Sequence, residues 1–237
     1  MQNRGEPHPK AAVFVDAENQ SDLWLADLMR QFAAFDCVVR RAYADWRDRR
    51  LDHLAEQLDE QGFQMVYARS GPEVGAKKNT ADGHMAHDAR RVLARWAEIA
   101  VVLIVSGDGF FVELVQELQR KGKYVVVAAD PLRAHQELVA AADEFLPLGK
   151  VPLWIRGLDR LERSRDYVTF SYATRLLGMD SRFLTQLINR KLVIQQPIEV
   201  PRRGWRPCLT LNREALLVQA ALRCTGRPEP QLRAFAV

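Results

Sequence analysis

Three aspartates in separate segments have the residue type and local setting of an acidic metal site. Asp16 ends the apolar run AAVFVD, and Asp108 follows the apolar run AVVLIV within the sequence SGDG. Asp82 opens a stretch of helical length. A projection at about 100° per residue puts Asp82 on the side expected to pack on a sheet, together with Met85, Ala86, Ala89, Leu93 and Trp96. The pattern predicts an inward-pointing carboxylate.

Three carboxylates that lie close together repel one another and raise one another's pKa unless a cation is bound among them. Oxygen ligands of this kind favour a hard divalent ion, Mg²⁺ or Mn²⁺. Such an ion activates water and neutralises charge that develops on a phosphate. Asn19 and Ser106 are placed to orient a water molecule or a carboxylate.

Each aspartate also has a purely structural interpretation. Asp16 could cap a helix that starts near residue 20, Asp82 could be a first-turn acid, and Asp108 could cap a helix that begins at Phe110. The metal-site interpretation is favoured because all three positions converge on one edge of the expected sheet.

Short apolar segments alternate with amphipathic ones over the first 146 residues. The sequence predicts strands at 11–16, 36–44, 63–68, 100–105 and 123–129, and helices at 20–34, 48–61, 82–97 and 110–121. A further helix at 132–142 and a short strand near Phe145 follow. Nearly continuous apolar strands indicate a parallel sheet that is buried on both faces. The fold class is therefore α/β, a three-layer, Rossmann-like, doubly wound domain with a central parallel sheet.

The chain is expected to contain a second, smaller α+β domain. The segment 146–152, with two prolines and a glycine, is the candidate linker. Helices near 155–164 and 180–190 precede two strands, LVIQQPIEV and PCLTLN, joined by the turn PRRGW, as in a winged-helix module. The expected organisation is a disordered tail at 1–10, a catalytic domain at 11–147 and a basic nucleic-acid-binding domain at 148–237.

Charge is distributed unevenly between these two parts. From residue 151 onward fifteen Lys and Arg accompany seven Asp and Glu, a net +8, and the preceding residues carry a net −4. Fourteen of the fifteen cations are arginine, which suits phosphate recognition. The turn combines this charge with an aromatic platform in Arg202, Arg203, Trp205 and Arg206, which indicates contact with RNA. An arginine-rich solvated surface is the alternative.

The basic loop SGPEVGAKKNTADG lacks the spacing of a phosphate-binding P-loop. Its Lys77 and Lys78 are candidates for contact with a phosphate backbone. A plain solvated loop is the alternative.

Composition excludes several other classes of protein. No apolar run approaches the roughly 18 residues of a membrane span, and the first residues lack a signal peptide, so we expect a cytoplasmic protein with no membrane partner. The three cysteines are odd in number and far apart, which does not fit a disulfide framework or a zinc site.

Three motifs together resemble a known family. FVDAENQ, ADGHMAHDA and VSGDGFFVELVQELQRKGKYVVV resemble, in order and spacing, the NYN domains of the PIN-like nuclease superfamily, including the bacterial LabA-like branch. The resemblance covers about residues 11–146 and implies a metal-dependent ribonuclease. Its site positions correspond to Asp16, Asn19, Asp82, Ser106 and Asp108, with Asp88 as a weaker match. The C-terminal region is only loosely similar to the winged-helix or LOTUS-like modules that accompany some NYN domains.

The sequence departs from the family pattern at one position. Phe110 stands where many relatives carry a further acid. Three aspartates are enough for one ion, while a two-metal mechanism lacks a ligand.

The leading hypothesis is an endonuclease that cuts single-stranded or structured RNA. The alternative is a degenerate domain that binds RNA or a protein as a regulatory scaffold. The oligomeric state stays open, with a homodimer among the options.

Overall fold

The computed structural model describes residues 8–19, 25, 28, 29, 32, 33, 35–68, 80–149 and 151–223. The chain divides into two compact units. In the described ranges the first unit contains residues up to 129 together with 134–144, and the second contains 130–133 and residues from 145 onward. Each unit is described separately below.

A six-stranded sheet forms the centre of the α/β fold, in the order β3-β2-β1-β4-β5-β6. The strands are β1 (Lys10–Asp16), β2 (Asp36–Ala44), β3 (Gln64–Tyr67), β4 (Val101–Val105), β5 (Tyr124–Ala129) and β6 (Glu144–Pro147). The pairings of β1 with β2 and β4, of β2 with β3 and of β4 with β5 are parallel. This confirms the predicted fold class.

The central strands are buried because their side chains are apolar on both faces. All five residues of β4 are buried, as are the last six of β1. A parallel sheet of this kind requires helices on its faces. The helices of this unit are α1 (Asp52–Glu60), α2 (Thr80–Arg95), α3 (Val112–Arg120) and α4 (Gln136–Ala141). Leu114, Val115 and Leu118 of α3 are fully or almost fully buried.

Helix boundaries differ from the sequence prediction where a cap or a tight turn comes first. The predicted helix 48–61 is a 3₁₀ turn at Arg49–Leu51, capped by Asp48, followed by α1. The predicted helix 110–121 is likewise a 3₁₀ turn at Gly109–Phe111 followed by α3. Gly122 ends this helix with φ +73°, as a C-terminal glycine does. The predicted helix 20–34 falls largely outside the described residues.

The boundaries around the two ends of this unit also need correction. β1 begins at Lys10, which pairs with Asp36, so the expected tail is shorter than 1–10. The helix expected at 132–142 starts only at Gln136, because Asp130 accepts a hydrogen bond from the Leu132 amide and closes a turn first.

The second unit contains helices and a two-stranded antiparallel hairpin, in the predicted order. Its helices are α5 (Val151–Ser164), α6 (Phe170–Leu177), α7 (Ser181–Asn189) and α8 (Leu216–Arg223), and its hairpin strands are β7 (Val193–Val200) and β8 (Gly204–Leu211). The candidate linker 146–152 is wrong in extent. Leu146 and Pro147 lie in β6, and α5 begins at Val151.

Polar contacts join the hairpin to α5 in this unit. Glu162 of α5 accepts a hydrogen bond of 2.6 Å from the Leu211 amide and one of 2.8 Å from Arg213. Arg213 also forms an ion pair with the buried Asp159. These contacts fix the base of β8, while the outer part of the hairpin is exposed. Among the helices in the described ranges, none is both long and apolar enough to span a bilayer.

Candidate metal centre

The innermost part of the acidic edge is a buried carboxylate held by a serine. Val15 pairs with Val105 across β1 and β4, so the next residues, Asp16 and Ser106, also lie beside each other. Asp16 is 2% exposed and Ser106 is fully buried. The Ser106 hydroxyl donates a hydrogen bond of 2.9 Å to Asp16 Oδ2 and accepts one of 3.1 Å from the Asp108 amide. The serine therefore fixes the orientation of the Asp16 carboxylate relative to the following turn.

Asp108 lies in that turn, where its carboxylate forms a cap and could also bind a cation. Its Oδ1 accepts a hydrogen bond of 2.8 Å from the Phe110 amide and so caps the 3₁₀ turn Gly109–Phe111. The cap predicted from the sequence is therefore present. A carboxylate has further acceptor sites on its two oxygens, so the cap is compatible with binding a cation.

The two glycines of the SGDG turn are explained by close contact with a neighbouring segment. A Cβ on Gly107 would lie 3.2 Å from the Ala134 Cα, and a Cβ on Gly109 would lie 3.0 to 3.2 Å from the His135 ring. The His135 amide also donates a hydrogen bond of 2.9 Å to the Gly107 carbonyl. Ala134 and His135 thus support the turn that carries Asp108. Sequence analysis missed His135, because only its contact with Gly109 reveals it.

Asp82 links the helix α2 to this group of acids. It lies in the first turn of α2 and is half-buried. The pKa of Asp82 is raised to about 6. Burial is the largest cause, and the negative charges of Asp16, Asp108 and Glu18 contribute the rest. The structure therefore brings the three predicted aspartates within range of one another's charge. Glu18, from the turn after β1, is an additional acid at this edge.

Asp45, directly after β2, has an electrostatic environment opposite to that of Asp82. Its carboxylate accepts hydrogen bonds of 2.9 and 2.6 Å from Arg47, which lower the pKa of Asp45 to about 2. Its amide donates to Glu18 Oε1 at 2.9 Å. The charge of Asp45 is balanced by an arginine, whereas burial and like charges act on Asp82. A cation at this edge would relieve the burial and repulsion that act on the Asp82 carboxylate.

The donor set fits a hard divalent cation in its chemistry, since every candidate ligand is a carboxylate oxygen. In the part of the chain that the structure describes, however, no three His, Cys, Asp or Glu side chains already converge to enclose an ion. Binding would therefore require the candidate carboxylates to move closer together, while Ser106 holds Asp16.

Asp88 has a structural role. Its Oδ2 accepts hydrogen bonds from Arg41 at 2.5 Å and from the Tyr43 hydroxyl at 2.6 Å. Burial raises the pKa of Tyr43, and its hydrogen bond to Asp88 adds to that effect. Tyr43 pairs with Asp16 across β1 and β2. Asp88 therefore joins α2 to β2 beside the acidic edge, and one of its two oxygens is already engaged.

The remaining candidate residues fall into three groups. Phe110 is 39% exposed and packs edge-on against the buried Phe111, with ring centroids 5.4 Å apart, so an apolar ring stands where many relatives carry an acid. The Asn19 backbone belongs to the 3₁₀ turn after β1, and its side chain lies outside the described residues, as do Lys77 and Lys78. In the second unit the hairpin residues are all exposed, namely Arg202, Arg203, Trp205 and Arg206.

Comparison with known proteins identifies a family and finds similar solved structures. The model of the NYN domain matches residues 10–149. A crystal structure of a protein of unknown function from Vibrio parahaemolyticus is 26% identical, with a TM-score of 0.47, and the match covers 63% of this chain and 97% of that chain. None of the curated proteins matches this chain.

The raised pKa of Asp82 predicts a pH-dependent gain in stability for Asp82→Asn in the presence of EDTA. The pKa of Asp82 is about 6 in the folded protein and 3.8 in the reference state. The folded state therefore binds more protons between these values, and the contribution of Asp82 to the free energy of unfolding falls as pH rises through this window. After a discount for its half-exposed position, the cost above pH 6 is about 1 kcal/mol.

Asp82→Asn is therefore expected to raise the melting temperature at pH 8 by a few degrees. The gain should shrink toward zero as the pH falls to about 4. Asp59→Asn, an exposed aspartate of α1, is the control and should show no such trend. A loss of stability in Asp82→Asn at pH 8 would contradict the electrostatic assignment.

The support of the SGDG turn by Ala134 and His135 predicts different outcomes for its two glycines. Gly107→Ala brings a methyl group against backbone and should lower the free energy of unfolding by about 1–3 kcal/mol. Gly109→Ala meets a side chain, so His135→Ala should relieve its effect. Urea denaturation of the wild type, the three single variants and the two double variants measures the coupling. If His135→Ala relieved both glycine variants equally, or neither, the proposed contacts would be wrong.

Proposed function

The chain belongs to the NYN domain family of the PIN-like superfamily, and on that premise we propose that it is a metal-dependent ribonuclease that hydrolyses phosphodiester bonds in RNA. The observation that carries the proposal is the position of Asp16 and Asp108 directly after β1 and β4, at the carboxyl edge of the sheet, where Asp82 of α2 meets their charge. Active sites of open parallel sheets lie at this edge.

In this proposal Asp16, Asp82 and Asp108 hold Mg²⁺ or Mn²⁺. The ion would supply an activated water molecule and neutralise charge on the phosphate. Ser106 keeps the Asp16 carboxylate turned toward the site through its hydrogen bond of 2.9 Å. Asn19 follows β1 within one turn and is proposed to position water or the phosphate. Asp88 keeps α2, and with it Asp82, in place on β2.

The apolar ring of Phe110 favours a single ion. An aromatic side chain offers no oxygen ligand, so a second metal would lack one of its donors. Phe110 is also partly exposed beside Asp108, where it is available for contact with a base of the substrate. We therefore propose one-metal hydrolysis.

We propose that the second unit is a winged-helix-like RNA-binding module and that the protein lies in the LabA-like branch. The support is the exposed hairpin with three arginines and one tryptophan, in the part of the chain with a net +8. Arginine contacts to phosphates supply most of the affinity of such surfaces. Lys77 and Lys78 are proposed to contact phosphates near the acidic edge.

A second candidate function is supported by the same Phe110 position and by the lack of a preformed set of three ligands in the described ranges. In this candidate the NYN domain is catalytically degenerate and serves as a scaffold that binds RNA or a protein. It differs from the first candidate in predicting RNA binding without cleavage.

The ribonuclease proposal predicts cleavage of labelled RNA that needs Mn²⁺ or Mg²⁺ and stops in EDTA. Asp16→Asn, Asp82→Asn and Asp108→Asn should each lower the rate by at least about a hundredfold, since each removes a charge that is needed for the ion. Mn²⁺ binding should weaken as the pH falls through about 6, where the metal-free Asp82 takes up a proton, so the rate at a fixed subsaturating concentration of the ion should fall over the same range. Asp59→Asn is the matched control with full activity.

Cleavage that persists in all three variants would identify a contaminating nuclease and refute the assignment of the site. RNA binding with no cleavage under any metal condition would support the scaffold instead. Isothermal titration with Mn²⁺ alone separates loss of the ion from loss of a later step, because the proposal requires weaker Mn²⁺ binding in the same three variants.

The RNA-binding proposal predicts weaker binding in the variant Arg202→Ala/Arg203→Ala/Arg206→Ala. In EDTA, fluorescence anisotropy with a labelled single strand should show lower affinity and a salt slope that is shallower by about 2, since each lost phosphate contact removes about 0.7. The control removes three exposed arginines of the first unit, Arg91, Arg95 and Arg120. Equal effects of both triple variants would show a general charge effect and no hairpin site.

A further inference from the structure

One face of the hairpin presents an apolar surface at its exposed end. Pro197 pairs with Pro207, and Glu199 pairs with Trp205. Since side chains two residues apart on a strand share a face, Trp205, Pro207 and Pro197 lie together. Gln195, opposite Leu209, continues the same face. The Trp205 side chain is 65% exposed, the highest value among the large hydrophobic residues of the described chain.

An open cavity of about 300 Å³ lies over this part of the hairpin. Its lining combines flat apolar groups with amides and one cation: Gln195, Gln196, Pro197, Trp205, Arg206 and Pro207. This is the usual composition of a small-molecule site, in which apolar walls bind a ring and a few polar groups fix its orientation. The size and the planar tryptophan suit a single aromatic ring system.

The paired prolines make the addition of a peptide strand unfavourable. Neither proline has an N–H, so they cannot form a hydrogen-bonded pair across the ladder. At a non-hydrogen-bonded pair the missing N–H groups would point outward, away from the partner strand. Both edges of the hairpin therefore lack a donor that an added strand would use. A ligand is therefore expected on the face of the hairpin that carries Trp205, and not along its edges.

We infer that this cavity binds one unpaired nucleobase of RNA, stacked on Trp205 with its polar edge toward Gln195, which shares the Trp205 face; the inference rests on the proposed function and names single-stranded RNA as the form that the hairpin recognises. Stacking on an indole ring accepts any base. The Gln195 amide can donate to and accept from a base edge, so it supplies a preference among bases.

The charges around the cavity favour a nucleotide over an uncharged aromatic ligand. Arg206 lines the cavity, and Arg202 and Arg203 are exposed in the turn that precedes Trp205. Phosphates on either side of a stacked base are expected to lie toward these arginines. Glu199 is exposed opposite Trp205 on the same face. Its carboxylate repels phosphate there and can accept hydrogen bonds from amino groups of a base.

The test measures binding of the full chain in EDTA, so that cleavage plays no part. Fluorescence anisotropy with labelled eight-nucleotide RNA homopolymers should show that Trp205→Ala weakens binding roughly 5- to 150-fold, the effect of losing one stacked base. The salt slope should stay unchanged, because no phosphate contact is removed. Trp205→Phe should restore most of the affinity. Trp96→Ala, a change of an exposed tryptophan in the first unit, is the control and should have no effect.

Two further arms address the base itself. An oligonucleotide of the same length with abasic sites should bind the wild type and Trp205→Ala equally. Gln195→Ala should reduce the preference among the four homopolymers, with each lost hydrogen bond accounting for roughly fivefold, and should leave the weakest binder nearly unchanged. Gln196→Ala is the matched control, because Gln196 lies opposite Cys208 on the other face of the hairpin.

Unchanged RNA affinity in Trp205→Ala would overturn the inference, as would equal Trp205 dependence for abasic RNA. If sedimentation showed a dimer that dissociates in Trp205→Ala while RNA affinity stayed constant, the face would be a contact between two copies of the chain, which also overturns it. Failure of the nuclease proposal can be distinguished from failure of the proposed base site. Trp205-dependent binding without cleavage leaves the base site intact, and cleavage with Trp205-independent binding rejects the base site alone.

Discussion

Repulsion between carboxylates at the carboxyl edge of the sheet is the constraint on which the rest of the site depends. Parallel pairing places Asp16 beside Ser106, and the following turn brings Asp108 to the same edge. Asp82 then meets their charge from α2, and its pKa rises to about 6 as a result of burial and these like charges. The fold must hold these groups together against that repulsion. Burial alone would not do so, since it disfavours every ionised form.

Contacts from neighbouring residues hold the acids in position against this repulsion. Ser106 donates its one proton to Asp16, and its oxygen accepts a hydrogen bond from the Asp108 amide. Ala134 and His135 contact the two glycines of the following turn, where a Cβ would lie only 3.0 to 3.2 Å from them. On the other side of Asp16, Tyr43 and Arg41 bind Asp88 and so fix α2. The acids are thus positioned by neutral or paired groups, which add no negative charge of their own.

The sequence predicted the features that arise from local pattern and missed those that arise from register. Strand runs such as 101–105 are apolar on both faces and could be read directly, and the strand-end position of Asp16 followed from them. Helix starts were less accurate, because capped 3₁₀ turns at Arg49–Leu51 and Gly109–Phe111 look helical in sequence. The extent of the linker was wrong because Leu146 is buried as part of β6.

The contacts of His135 and Asp88 could not be predicted, since they join segments that are distant in sequence. His135 meets Gly109 only after β5 has returned the chain to the same edge. Asp88 meets Tyr43 only once α2 has packed on β2. The resemblance to the family gave Asp88 as a weaker match but could not show that Asp88 binds Arg41 and Tyr43. Local periodicity therefore located the acids, and tertiary contacts determined which of them are available to a ligand.

The proposed binding of RNA requires a basic surface outside the acidic edge. Asp16, Asp82, Asp108 and Glu18 carry charge of the same sign as a phosphate backbone, so this edge repels RNA unless a cation is bound. The residues before 151 carry a net −4, and those from 151 onward carry a net +8, mostly as arginine. In the proposed function, the hairpin would attract RNA through positive charge and the acids would hold the metal ion through negative charge. Because arginine contacts release counterions while a bound divalent ion acts at short range, added salt should weaken RNA binding by the proposed ribonuclease far more than its chemical step.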